Sequence, residues 1–377
     1  MNKKLRKVAR FIAIYGFRKS LFKVFGRLRL PFFRLKPKKN ANIGVIGAGQ
    51  YAYATIGFAL YKFFGNRFVN CFDINEGNAI SFCSFYGLGQ PCQSAQELVD
   101  HPDIGFIYIA SNHASHTDYA LKILAAGKVP FIEKPVSVNY QQFICLVKGI
   151  RRCGLPVFVG YNRPFSSAVR LLKSYSHSTH EPITLNCFVS GHQLPSDHWY
   201  RRPEEGTRIC GNVGHWLDLA VHILSWGELV DRWRIFVIYS NENARDDDIS
   251  IALTSERGDL VTILITSRSE PFEGINESIN FQQGDLIAKI DDFRTMTIWE
   301  REKLARHRFW PKDVGHNLAL TQPFTGVSRN WQEIELSTML MLFIAEMVVS
   351  GEQIKVFSFS ETLQLLGLDE TKVPGVG

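Results

Sequence analysis

"NIGVIGAGQYAYATIGFALYKF", residues 42–63, decides the fold. It opens as a short apolar strand, turns through Gly47-Ala48-Gly49-Gln50-Tyr51-Ala52, and runs on with helix-compatible apolar residues. A G-x-G-x-x-A turn between a strand and a helix is the setting in which this fingerprint signifies a dinucleotide site. Gly47 permits the tight turn, Gly49 lets a diphosphate approach the backbone, and Ala52 lets helix and strand lie close. Amides at the start of the helix would face the phosphate charge. Gln50 and Tyr51, inside the turn, are expected cofactor contacts.

Working outward, the next strand, "RFVNCFDIN", ends at Asp73, 26 residues after Gly47. A carboxylate there accepts the adenosine-ribose hydroxyls and repels a 2′-phosphate, so NAD is expected and NADP is disfavoured. A third strand, Ile107–Ala110, runs out at Ser111-Asn112, and a fourth, in "PFIEKPVSV" (130–138), at Glu133-Lys134-Pro135. Strands alternating with helices predict a parallel, doubly wound sheet. Ligands of such sheets bind beyond the carboxyl ends of the strands. Ser111, Asn112, Glu133 and Lys134 are therefore expected on the cofactor edge, with Pro135 fixing the turn, a cis bond being one way to do so.

The chain has 377 residues, enough for at least two domains, and 45% hydrophobic with 21% charged residues is ordinary for a globular protein. Seven scattered cysteines with no C-x-x-C pair predict reduced thiols in a cytoplasm, with no disulfide framework and no metal site. The net charge of +7 is unevenly spread: residues 1–40 hold fourteen Lys and Arg and no acid, leaving 29 bases against 36 acids elsewhere. The acidic body argues against a nucleic-acid partner. The basic arm carries Leu5, Val8, Phe11, Ile12 and Tyr15, then Leu21, Phe22, Phe25 and Leu28 after a break near Gly16, which predicts two amphipathic helices. Such an arm fits peripheral contact with a membrane surface, docking on an acidic patch of its own subunit or a partner, or an organelle transit peptide.

Beyond "VFVGYNRPF" the pattern turns to strands: "ITLNCFVSG", "RIFVIYS", "ISIALTS", "LVTILITS", "ESINFQQ", "LIAKIDDF" and "TMTIWE", with Gly284-Asp285 as a hairpin turn. Residues 331–350 read as a long helix returning to the core. The expected fold class is α/β: a Rossmann sheet followed by an α+β domain on a large, open, mainly antiparallel sheet. The expected domains are an arm at 1–40, a dinucleotide domain at 41–162, a substrate and oligomerisation domain at 163–350, and a C-terminal segment at 351–377.

The motifs GAGQYA, "IYIASNHASHTDYAL", "AAGKVPFIEKPVSV", "VGYNRPFSSAV" and "GTRICGNVGHWLDLAVHIL" follow an order that resembles the Gfo/Idh/MocA oxidoreductases over roughly residues 42–350. The stretch "PSDHWYRRPEEGTRICGNVGHWLDL" is similar to the branch of bi-domain and polysaccharide-cluster members. The resemblance implies that Lys134 touches cofactor and substrate hydroxyl and that His215 is the proton acceptor. It implies further that His116 and Asn162 sit beside the nicotinamide and its ribose, and that Asn162, Arg163, Asn212, His215 and Asp218 face the substrate. It also implies a homo-oligomer, a dimer or tetramer, through the open sheet. One departure stands out: the acid usual four residues before the histidine is replaced by Gly211, followed by Asn212, leaving Asp218 as the nearby carboxylate that could orient His215.

Oxidising a secondary alcohol needs a hydride acceptor and a base. Lys134 can stabilise a developing alkoxide, and an imidazole such as His215 titrates near neutrality. The loop His198-Trp199-Tyr200-Arg201-Arg202 offers aromatic faces for a sugar, Trp199 among them, and arginine forks for a diphosphate; a subunit-contact loop reads equally well. The expected activity is an NAD-dependent reaction at a hydroxyl or keto group of a sugar or nucleotide sugar in glycan biosynthesis. The alternatives are a redox-neutral enzyme that retains its NAD and a non-catalytic NAD-binding scaffold.

Overall fold

Short runs of Ile, Val, Phe and Tyr build the first sheet, because strands buried on both faces have no polar side to present. In this computed structural model, which describes residues 3–29, 34–176, 180–269, 271 and 274–369, they are β1 (Ile43–Ile46), β2 (Phe68–Phe72), β3 (Phe106–Ile109), β4 (Val129–Ile132) and β5 (Phe158–Val159). They pair in parallel in the order β2-β1-β3-β4-β5. The order reverses between β1 and β3, which puts the switch point at the end of β1.

An aromatic core fills one face of this unit. Tyr53, Phe68, Phe82, Phe85 and Tyr86 pack together, while Tyr108 and Phe131 stack at 4.5 Å. A distant segment, His316–Ser328, belongs to the same unit: Tyr108 donates to the Leu320 carbonyl (2.7 Å) and Gln322 to the Val159 carbonyl (3.0 Å). The helix Phe17–Leu28 belongs to it too, with Phe22 against Phe58 and Phe85.

The second unit is a nine-stranded sheet: β6 (Ile183–Ser190), β7 (Arg232–Tyr239), β8 (Ile249–Ser255), β9 (Leu260–Thr266), β10 (Asn276–Gln283), β11 (Leu286–Asp291), β12 (Thr295–Glu300), β13 (Lys303–Arg308) and β14 (Ile354–Ser358). Their order is β13-β12-β11-β10-β6-β9-β8-β7-β14, antiparallel except for the β6–β9 pair. Alternation sets the faces. Ile183, Leu185, Cys187 and Val189 of β6 point into a core covered by the helices Gly214–Leu224 and Trp331–Ser350. On the other face Phe188, Ile238, Leu264 and Trp299 are exposed.

The expected strands are all present, with Gly284 at φ +52 in the hairpin between β10 and β11. The two units part from the expected domains at the arm and at the C-terminal segment, and β13 adds to the strands expected. The arm divides at Gly16 (φ +80): helix Lys3–Tyr15 joins the second unit, where Trp310 donates to the Ala13 carbonyl, and helix Phe17–Leu28 joins the first. Residues 329–369 complete the second unit, because β14 pairs with β7. β13 escapes notice in the sequence because an edge strand carrying Lys303, Arg306 and Arg308 has no apolar face to betray it. The side chain of Leu5 and residues 370–377 lie outside the described residues. No helix among the described residues is long and apolar enough to cross a membrane.

Candidate active site

The dinucleotide turn is built as its residue types require. Gly47 has φ +87, and a Cβ on it would stand 2.5 Å from the Ala110 carbonyl, where the ends of β1 and β3 meet. Gly49 is the opposite case: a Cβ there would meet nothing within 4 Å, so its surface is open to a ligand. The turn leads into a π-helical stretch, Ala52–Ile56, a geometry often found at functional sites. There Gly57 leaves room for the Tyr86 hydroxyl, which donates to the Tyr53 carbonyl at 2.7 Å.

Asp73, at the end of β2, is half-buried. Its Oδ2 accepts from Ala48 N–H and its Oδ1 from Asn75 N–H, both at 2.7 Å. Each oxygen keeps a further lone pair, so the carboxylate is fixed beside the turn and can still accept ribose hydroxyls. At the end of β3, the Ser111 and Ser115 hydroxyls lie 2.7 Å apart, and Ser115 donates to Asn112. His116 is buried, with Nδ1 facing the Pro135 carbonyl (2.8 Å) and Nε2 facing the Ser111 carbonyl (3.2 Å). It braces the ends of β3 and β4 together. Gln50 donates from Nε2 to the Lys23 carbonyl (3.2 Å).

Glu133 and Lys134 follow β4, and the Lys134–Pro135 bond is cis. Glu133 is buried, and its Oε1 has no hydrogen-bond partner among the described residues. Burial pushes its pKa up to about 7, against the opposing pull of Lys134 and of a hydrogen bond from Tyr51. Gly160 leaves room for it, since a Cβ there would stand 2.5 Å from Oε2. An orphaned carboxylate oxygen, an open Gly49 and a poised Asp73 together fit a dinucleotide laid along this edge.

The raised proton affinity of Glu133 has a thermodynamic consequence. Between its ordinary 4.5 and about 7 the folded chain holds a proton that the unfolded chain has released. Stability therefore falls as pH rises across that window, by roughly 3 kcal/mol in all, and levels off above it. Glu133→Gln is expected to remove this slope from a denaturant-unfolding series across the same pH range; parallel profiles for both proteins would contradict the assignment.

In the second unit, His215 opens the helix Gly214–Leu224 directly after another π-helical stretch, Ile209–Val213. The imidazole is half-buried, edge-on to Trp216. Asn162 is buried, its amide donating to the Val314 carbonyl, and both Asn162 Oδ1 and Asn212 Oδ1 are buried acceptors with no partner among the described residues. Trp199 sits half-exposed, edge to face with Tyr200 at 4.3 Å. Arg201 donates to the Pro195 and Leu194 carbonyls and to Asp247, so its fork holds the loop together.

Two residues expected to face the substrate, Arg163 and Asp218, are held in buried ion pairs. Arg163 is buried and bidentate to Glu277 (2.6 and 2.9 Å), which also accepts from the Trp216 indole (2.9 Å), and the guanidinium lies 4.3 Å over that ring. Asp218, 0% exposed, accepts from Arg329 at 2.7 and 2.6 Å and from Ser337 at 3.1 Å. Arg329 also donates to Glu333, which His222 contacts at 3.0 Å. Burial disfavours the charge on Arg329, but the Asp218 and Glu333 carboxylates outweigh it and raise its pKa. Asp218 thus anchors the helix Trp331–Ser350 and is engaged away from the role of orienting His215. Arg329→Ala strands the buried Asp218 carboxylate and takes a partner from the half-buried Glu333, and is expected to cost about 3–5 kcal/mol in chemical denaturation; a loss under about 1 kcal/mol would show that the network carries no stability. Neither Glu277 nor Arg329 announces itself in the sequence, since each partner lies more than a hundred residues away.

Residues 41–161 match the profile of the family described as "Oxidoreductase family, NAD-binding Rossmann fold". The chain is 33% identical over 150 residues to the inositol 2-dehydrogenase of Serratia proteamaculans, covering 39% of this chain and 44% of that protein. It is 33% identical over 132 residues to the glucose-6-phosphate 3-dehydrogenase of Bacillus subtilis, covering 35% and 37%. It thus spans less than half the length of these relatives. The crystal structure of the UDP-N-acetylglucosamine 3-dehydrogenase GnnA from Acidithiobacillus ferrooxidans superposes with a TM-score of 0.66 over 85% of this chain and 98% of that one, at 15% identity, a likeness of fold alone. Residues 41–161 thus match the NAD-binding Rossmann domain of the Gfo/Idh/MocA oxidoreductases.

Proposed function

We propose that the protein is an NAD-dependent oxidoreductase acting on a secondary hydroxyl or keto group of a sugar or nucleotide sugar, in glycan biosynthesis in the cytoplasm. The observation that carries this reading is the position of Lys134 directly after β4, an ammonium at the carboxyl end of that strand, on the same sheet edge as the glycine turn and Asp73. When bound there, the nicotinamide supplies the hydride acceptor. Asp73 receives the adenosine ribose, Gly49 admits the diphosphate, and His116 braces the strand ends under the ring. The role of Lys134 is to hold the reacting oxygen and stabilise its negative charge as it develops. His215 is assigned the proton, with Asn162 and Asn212 offering buried acceptors to substrate hydroxyls or cofactor ribose. Relatives named as dehydrogenases of inositol and glucose 6-phosphate support a ring alcohol as substrate.

Two partner assignments belong to the same reading. The exposed face of the nine-stranded sheet, with Phe188, Ile238, Leu264 and Trp299, suits pairing with a second copy, which light scattering on the purified chain tests. Helix Phe17–Leu28 exposes Phe17, Leu21, Val24 and Leu28 along one face between Arg18 and Arg27, which suits peripheral contact with an anionic membrane surface. Co-sedimentation with anionic against zwitterionic vesicles tests that contact.

A non-catalytic NAD-binding scaffold is favoured by one observation: Gly211 stands in the acid position, and the remaining carboxylate, Asp218, is paired to Arg329. Turnover decides between the readings. Purified protein with NAD and a panel of cyclic polyols, sugar phosphates and nucleotide sugars is expected to produce reduced nicotinamide with at least one of them. NAD binding with no turnover on any would leave the scaffold.

A further inference from the structure

The arm reaches the dinucleotide turn itself. Arg29, the residue after helix Phe17–Leu28, donates from Nη2 to the Ala48 carbonyl (2.9 Å) and from Nη1 to the Ser81 hydroxyl (2.9 Å) and the Asn78 carbonyl (3.4 Å). Its guanidinium lies 4.6 Å over the buried Tyr53 ring, within electrostatic reach of Asp73. The backbone of Arg29 sits at φ +49, a left-handed conformation that usually falls to glycine after a helix end. An arginine is kept there at a conformational cost, so its side chain has a task. The rest of the helix is fitted to the same place. A Cβ on Gly26 would stand 3.0 Å from the Gln50 amide and 3.1 Å from the Ala54 Cβ, and Gln50 donates to the Lys23 carbonyl.

The peptide linking Ala48 to Gly49 is the one a diphosphate would meet. In a planar trans peptide the carbonyl and the N–H point to opposite sides. Anchoring the Ala48 carbonyl on Arg29 therefore fixes the direction of the Gly49 N–H, while Asp73 holds the Ala48 N–H. The two side chains pin the turn from opposite ends, one from the nucleotide domain and one from the arm.

We propose that Arg29 is a positioning residue of the cofactor site, and that the arm presets the Gly49 amide for the diphosphate of a dinucleotide. The proposal rests on the dinucleotide reading above. It goes beyond it by making residues 17–29 part of the site, where the family match begins only at residue 41.

The test is calorimetric titration of NAD into intact wild type, Arg29→Gly and Arg29→Lys, with the melting temperature of each unliganded protein. Glycine accepts the left-handed backbone without cost, so Arg29→Gly is expected to melt within a few degrees of wild type. Its NAD affinity is expected to fall about tenfold, with part of the loss recovered in Arg29→Lys, whose single ammonium can still reach the carbonyl. Adenosine, which carries no diphosphate, is expected to bind all three proteins alike in saturation-transfer NMR, a separation that a general loss of structure would not produce. Should Arg29→Gly fail to fold, Arg29→Lys decides, with a severalfold loss at unchanged melting expected. NAD binding by the folded variants within twofold of wild type overturns the positioning role alone. Wild type that binds no dinucleotide overturns the cofactor reading and this role with it.

Discussion

Lys134→Ala lowers kcat by about 10²–10⁴-fold in the proposed reaction, the range seen when one charge-stabilising or proton-handling group is removed. The expectation follows from position. The ammonium stands where β4 ends, and Glu133 beside it is buried, its backbone N–H donating to the Ile109 carbonyl at 3.0 Å. A charge held at the strand end contributes most when charge appears on the bound oxygen, so the loss should fall on kcat and far less on the KM for NAD. Lys134→Arg is expected to recover little, because a planar fork cannot replace a compact ammonium at a single oxygen. Steady-state kinetics on the best substrate of the panel checks both variants. A Lys134→Ala enzyme with unchanged kcat would remove the lysine from the chemistry while leaving the cofactor site intact.

The second large effect separates the two glycines of the turn. Gly47→Ala places a Cβ 2.5 Å from the Ala110 carbonyl, at a φ of +87 that alanine rarely adopts. Backbone strain of about 1–3 kcal/mol adds to that collision, so the variant is expected to lose about 3 kcal/mol or more of stability and to bind no NAD. Gly49→Ala has nothing within 4 Å of its new methyl. It should fold like wild type and yet bind NAD about 100-fold more weakly, about 2.7 kcal/mol, because the methyl occupies the space the diphosphate needs. Urea unfolding and titration of the same preparations distinguish the two. If Gly49→Ala bound NAD normally, the diphosphate would not lie on this turn.

These expectations could be drawn from the sequence wherever structure is decided by neighbours in the chain. The glycine turn, Asp73 and Glu133-Lys134-Pro135 each declare themselves within a few residues, and β6 to β12 follow from period-two alternation and turn residues. What stayed hidden depends on partners far away. Asp218 looks like a substrate carboxylate until Arg329, 111 residues on, is found bonded to both its oxygens. Nothing near Arg163 in the sequence reveals its pairing with Glu277, 114 residues on. Arg29 sits in a basic arm that reads as docking on its own subunit or a partner, as contacting a membrane or as a transit peptide, and only the fold brings it to Ala48. β13 and β14 lie at the two sheet edges, where charged residues break the apolar pattern that marks a central strand.

Everything proposed for catalysis presupposes that the edge formed by β1, β2 and β4 holds a nicotinamide dinucleotide. Titration of NAD and NADP into the intact protein tests this most directly. The expected result is one NAD per chain, bound more tightly than NADP because Asp73 opposes a 2′-phosphate, with the preference lost in Asp73→Ser. Heats of dilution alone for both dinucleotides, from folded protein carrying no nucleotide through purification, would contradict it.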